Sequence, residues 1–262
     1  MWAAANATAT VVTDSGPAHC ESERWRIVML TIRRSKDRGH ANHGWLDTHH
    51  SFSFANYYDP AHMGYRSLRV INEDHIAEGR GFGAHPHRDM EILTYVLSGQ
   101  LTHKDSMGHT EVLGSNEIQK MSAGTGVVHS EFNGSETEPI HLLQIWIEPG
   151  ANGLTPSYEQ YKFEPEEKLD RFKLLASPKP VTGVAKLNQD ASVSVAELTP
   201  GKSLSYPLGK DRHGWLQVIR GEVTVNGKKL NAGDAIAADD EKELQISAEG
   251  AINSELLLFD LA

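Results

Sequence analysis

The chain has 262 residues, 39% of them hydrophobic, which is ample for one large buried core or two ordinary ones. Its 25 basic residues face 35 acidic ones, a formal net charge of -10 that argues against direct nucleic-acid contact or an anionic membrane surface as partner. A single cysteine, Cys20, excludes an intrachain disulfide and any thiolate cluster, so metal binding would fall to histidine and carboxylate.

Residues 1–28 are rich in Ala, Thr and Ser and show no sustained periodicity, which predicts a weakly ordered extension. They lack a basic stretch followed by a continuous apolar run, and nothing in the chain approaches the roughly 18 apolar residues of a membrane span. The expected location is the cytoplasm.

From Met29 the pattern changes to short segments of β-branched and aromatic residues. Turn signals separate them at Ser98-Gly99, Met107-Gly108, Asn133-Gly134 and Asn226-Gly227. This predicts an antiparallel all-β barrel or sandwich over residues 29–150. Near its start, His40, His43, His49 and His50 lie among Trp45, Phe52, Phe54, Tyr57 and Tyr58. Most of these read as core or loop residues, and some as the wall of a pocket. His103 and His109 flank the Ser106-Met107-Gly108 turn and are expected to be exposed.

Residues 151–190 read as a connection with a short helical segment, interrupted by Thr155-Pro156, a solvated charged run from Glu164 to Lys168, and Ser177-Pro178-Lys179-Pro180. The β pattern resumes over residues 191–262. There the hairpin from Gly221 to Gly227 and the turn at Ala232-Gly233-Asp234 echo the first half, which suggests a loose duplication. The second copy has no His-x-His.

Twelve of the fourteen histidines lie between His40 and His141. Two phrases stand out among them, His85-Pro86-His87 and His129-Ser130-Glu131. In a strand, residues i and i+2 share a face, so two such strands side by side would aim three imidazoles and a carboxylate at one point. That donor set suits Fe(II), Mn(II), Co(II), Ni(II) or Cu(II), accommodates Zn(II), and leaves coordination positions open. Glu91 is a competing carboxylate that strand parity alone does not remove. His141 and Gln144, three apart on one apolar strand, should face opposite ways, so at most one can point toward the metal. Gly79-x-Gly81-x-Gly83 lacks the following helix and the spacing of a dinucleotide loop, and Gly-x-Ser-x-Gly is absent.

The wording of these phrases resembles the cupin superfamily. Gly79, His85-x-His87, Glu91 and Gly99 are similar to its first motif, with the last interval one residue longer than usual. Gly124-x-Gly126, His129 and Asn133 are similar to its second, with Gly where Pro is common. The resemblance is closer still to the pirin family, a group with two cupin domains. It is carried by the run from Arg38 to Trp45, by His50-Ser-Phe-Ser-Phe54, by the run from His85 to Leu93 and by Met121-Ser-Ala-Gly-Thr-Gly126. It extends from about Met29 to the C-terminus.

The resemblance implies two jelly-roll β-barrels in tandem, residues 29–150 and 191–262, with a metal in the first only. It implies His85, His87, His129 and Glu131 as ligands, most naturally of Fe(II), with Glu91 left as a supporting or structural group. It also implies quercetin 2,3-dioxygenase activity, in which a flavonol and dioxygen react, the heterocycle opens and carbon monoxide is lost, with Glu131 a candidate base as well as a ligand. The alternative is a non-catalytic, redox-sensitive iron protein that binds a transcription-related protein partner.

Overall fold

The computed structural model describes residues 29–262, and the expected extension over residues 1–28 lies outside them. Four sheets pair into two barrels. In the first, a seven-stranded sheet runs in the order Ser157–Lys162, Glu117–Ser122, Glu91–Ser98, Ile140–Ile147, Leu68–Ile76, Leu46–His50, Gly39–Asn42. It faces a four-stranded sheet ordered Gly81–His87, Val127–Asn133, Leu101–Asp105, Thr110–Leu113. The second barrel repeats the arrangement, and its parallel contacts among the described residues are a two-residue pairing of Ala176 and Ser177 with Ala185 and Lys186 and an isolated bridge from Leu169 to Glu197. The all-β, two-barrel architecture expected from the sequence is the one found. Pro165–Glu167 forms the short helix of the connection, closed by a capping box between Glu164 and Glu167. Asn226 and Gly227 both adopt positive φ, the conformation of a tight hairpin turn. Among the described residues no helix is long and apolar enough to cross a membrane.

The barrels exchange their outermost strands, which shifts the expected boundaries. Met29–Arg33, assigned above to the first barrel, pairs with Ala235–Asp239 and places Leu30 and Ile32 against the core of the second. Ser157–Lys162, assigned to the connection, pairs with Glu117–Ser122 of the first. An amphipathic strand pattern states which face is buried but not which neighbour supplies the backbone partner, so sequence spacing alone places neither segment in its sheet. Lys168 also departs from the solvated face expected of it. It is buried between the barrels, its ammonium 2.5 Å from Glu255 Oε1 and 3.2 Å from the Tyr95 hydroxyl.

The largest apolar cluster lies between the barrels. It joins Phe52, Leu93, Tyr95 and Ile145 to Val193, Trp215, Leu257 and Phe259, with the Phe52 and Trp215 rings 4.8 Å apart. The interior of the second barrel is filled by Leu198, Leu216, Val218, Val223, Ile246 and their neighbours. Among the described residues no three metal-ligand side chains converge in that apolar interior, the physical reason that a metal is expected in the first barrel alone. The first barrel is apolar at one end, around Leu101, Leu113 and Leu142, and polar at the other.

Candidate metal centre

Strands Gly81–His87 and Val127–Asn133 lie side by side, with His129 opposite His85 and the register shifting by one between His129 and Glu131. The approach is close enough to require glycine, since a Cβ on Gly81 would sit 2.2 Å from the Glu131 carbonyl oxygen. The three imidazoles converge. His85 and His129 are 4.5 Å apart between ring centroids and His87 lies 4.8 Å from each, with one nitrogen from each ring within 4.8 Å of the others.

The chemistry of these rings suits a metal. His85 Nδ1 donates to the Gly83 carbonyl at 2.7 Å, which leaves Nε2 with its lone pair. Burial, reinforced by the neighbouring imidazoles, lowers His87 to about 4 and His129 to about 3, so both rings are neutral at physiological pH. His129 is 1% exposed and neither of its nitrogens has a hydrogen-bond partner. Buried polar atoms are rarely left so, and a cation at this point satisfies one of them.

Glu131 lies in the same interior and forms a second close group with His129 and His103. Thr94 and Gln119 donate to Oε1 at 3.3 and 3.2 Å, and Gln144 donates to Oε2 at 2.7 Å. Of the pair His141 and Gln144, only Gln144 faces inward, as their separation required; His141 turns outward to Glu73 at 3.0 Å. Glu91 points away from the imidazoles. It shares a face with Leu93 and Tyr95, toward the second barrel, where Lys120 lies 3.0 Å away and Asn188 donates from backbone and side chain.

His103, expected on the surface, is fully buried. Its ring centroid is 5.3 Å from that of His129, it stacks on Tyr158, and its Nε2 meets Asp105 at 3.1 Å. The strand Leu101–Asp105 runs right up to the turn, and its alternation puts residues 101, 103 and 105 inside. His109, beyond the turn, is partly exposed and caps Asp105 from outside.

His85 and His87 open on a cavity of about 410 Å³ lined by His50, Phe54, Tyr57, Asp74, Glu131 and Trp146 among others. His87 packs edge-on against Trp146, ring centroids 5.0 Å apart. Asp74 is the residue that sequence reasoning missed. It is 3% exposed, its Oδ1 has no partner, and burial raises its carboxyl to about 7, with Glu131 and Glu73 adding to the rise and a Thr48 hydrogen bond opposing it. The available signal was Asn72-x-Asp74, two polar residues on one face of a strand otherwise apolar on that side.

Residues 31–147 match the family described as Pirin, and residues 174–261 match the Quercetinase C-terminal cupin domain. The quercetin 2,3-dioxygenase of Escherichia coli is 49% identical over 233 residues, 89% of this chain and 99% of the relative. The chain belongs to the pirin family. Another pirin, a pirin-like protein of Caulobacter vibrioides, is 43% identical over 225 residues, 86% of this chain and 96% of the relative. The solved structure of the bacterial pirin YhhW from Escherichia coli in complex with nickel(II) superposes with a TM-score of 0.84 at 49% identity, covering 89% of this chain and 99% of that one. With such relatives along nearly its whole length, this pirin is an enzyme of the dioxygenase class.

Proposed function

We propose that this pirin is a metal-dependent dioxygenase that opens flavonols of the quercetin type with O₂ and releases carbon monoxide. The observation that carries the reading is the convergence of three imidazoles, one with two unpartnered buried nitrogens, beside a cavity sized for a small aromatic ligand. His85, His87, His129 and Glu131 would hold the metal, a divalent ion that we take to be Fe(II); the nickel(II) of the Escherichia coli relative agrees with a transition metal of this hardness. When bound, such an ion stabilises a deprotonated substrate hydroxyl and brings the substrate together with dioxygen.

The chain's own groups do the rest. Thr94, Gln119 and Gln144 fix the Glu131 carboxylate by donating to both oxygens, which suits it to ligation and leaves it poorly placed to travel as a base. Asp74 lines the cavity and, with its raised proton affinity, takes up or returns the proton of the substrate hydroxyl near neutral pH. Phe54, Tyr57 and Trp146 supply the apolar walls that hold a planar ring system and exclude water.

The test is to load the protein with Fe(II), add quercetin, and follow oxygen uptake, flavonol absorbance and carbon monoxide together. Turnover that disappears in His129→Ala along with bound metal supports the reading. A rate no higher than that of free iron refutes it.

A further inference from the structure

The outer face of the first barrel's large sheet holds a second set of ligand-type side chains that the reading above does not use. Thr48, His50, Asn72, Asp74 and Gln144 point into the cavity, so residues of the opposite parity on the same strands point outward. Two cross-strand rows result. One runs His40, His49, Glu73, Leu143 and the other Asn42, Asp47, His75, His141. Six of these eight positions carry histidine or a carboxylate. Leu143 continues into the apolar contact with the second barrel, whereas the histidine end lies beyond that contact.

Within the patch the partners divide. Glu73 is already held by Arg38 at 2.8 Å and His141 at 3.0 Å. His40, Asp47 and His49 are held only by one another. His40 Nε2 meets Asp47 Oδ1 at 2.7 Å, the His40 and His49 rings stack 4.4 Å apart, and one donor atom from each of the three lies within 4.8 Å of the others. His40 and His49 are direct cross-strand partners and Asp47 is two residues from His49, the closest spacings that an antiparallel pair offers on one face. Burial and the Arg38 guanidinium lower His49, so its ring stays neutral and able to ligate.

We propose that His40, Asp47 and His49 form a second, surface site for a divalent transition metal that favours imidazole, with Zn(II) and Cu(II) the best matched ions. Two imidazoles and a carboxylate satisfy three positions of such an ion, and the exposure of His40 and Asp47, 52% and 42% of the side chain, leaves the rest to water. A bound ion replaces the proton now shared between His40 and Asp47. His40, on the edge strand of the sheet, also borders the cavity from its outward side. The proposal does not depend on the dioxygenase reading.

The test uses the full-length protein stripped with a chelator and titrated with Zn(II) in a calorimeter. Two equivalents are expected per chain, a tight one that disappears in His129→Ala and a weaker one that survives it. His49→Ala and Asp47→Asn should each weaken the second equivalent by more than about tenfold, the effect that removing even a supporting group has on a metal site, and leave the first unchanged. Both substitutions are at the surface, and melting of the metal-free variants checks that they fold. A single equivalent that disappears in His129→Ala, or a surviving one unaltered by both His49→Ala and Asp47→Asn, overturns the proposal.

Discussion

Glu91→Gln and Glu131→Gln should separate structure from ligation. Glu91 and Lys120 are each 1% exposed, so losing the carboxylate leaves an ammonium buried without its counter-charge. Removing one partner of a buried pair costs about 3–5 kcal/mol, and glutamine, which still accepts a hydrogen bond, falls at the low end, about 3 kcal/mol. For a chain of this size about 2–4 °C is lost per kcal/mol, so the metal-free Glu91→Gln protein should melt about 6–12 °C below wild type. Its metal content after reloading, read by mass spectrometry, should equal that of wild type. Glu131→Gln should do the opposite, with a small change in metal-free melting and a loss of affinity of at least about 10-fold. Loss of metal from Glu91→Gln on the scale seen for Glu131→Gln, or unchanged melting, would refute the assignment of the two carboxylates.

Two further expectations concern pH. Unfolded imidazoles take up protons near 6.5, whereas folded His87 and His129 resist until about 4 and about 3, so the metal-free protein should lose stability as pH falls from about 6.5 toward 4. A melting temperature independent of pH in that window contradicts the burial of neutral rings. Asp74 has the opposite sign. Its folded carboxyl holds a proton up to about 7 that the unfolded one releases near 3.8, so stability is lost between those values as pH rises. Asp74→Asn should therefore raise the melting temperature most above pH 7 and hardly at all at pH 4, while slowing flavonol turnover; equal gains at both pH values would remove the raised carboxyl from the account. Phe52→Ala, which empties a 2% exposed position against Trp215, should cost about 3–5 kcal/mol in urea unfolding. A cost under about 1 kcal/mol would mean that the barrels are held together by other contacts.

The convergence of the imidazoles was legible because its signal is local. His85 with His87 and His129 with Glu131 need only the period of two, and the glycine at 81 marks where the backbones must approach. The same rule fixed the opposed directions of His141 and Gln144. Where the strand boundary itself was uncertain the rule lost its footing. His103 reads as an exposed residue flanking the turn although it lies inside the strand before it, and Glu91 opens a strand whose facing is set by Leu93 and Tyr95. Asp74 was out of reach for a different reason, since its chemistry comes from what surrounds it. An aspartate becomes a weak acid only when the fold removes water and sets Glu131 and Glu73 nearby, and both conditions are tertiary.

The exchanged strands bear on how the polypeptide acquires its shape during synthesis. Arg34, at the end of the first strand described, reaches Asp234 across 200 residues, and the sheet that joins them is completed only when the strand Ala235–Asp239 has emerged. Until then Met29–Arg33 is an exposed edge with no neighbour, and loops of such length close slowly. The first barrel, though earlier in the chain, also waits for Ser157–Lys162. A cut at residue 150 would strip a strand from each half, so the two barrels are one folding unit rather than two modules that could be expressed apart.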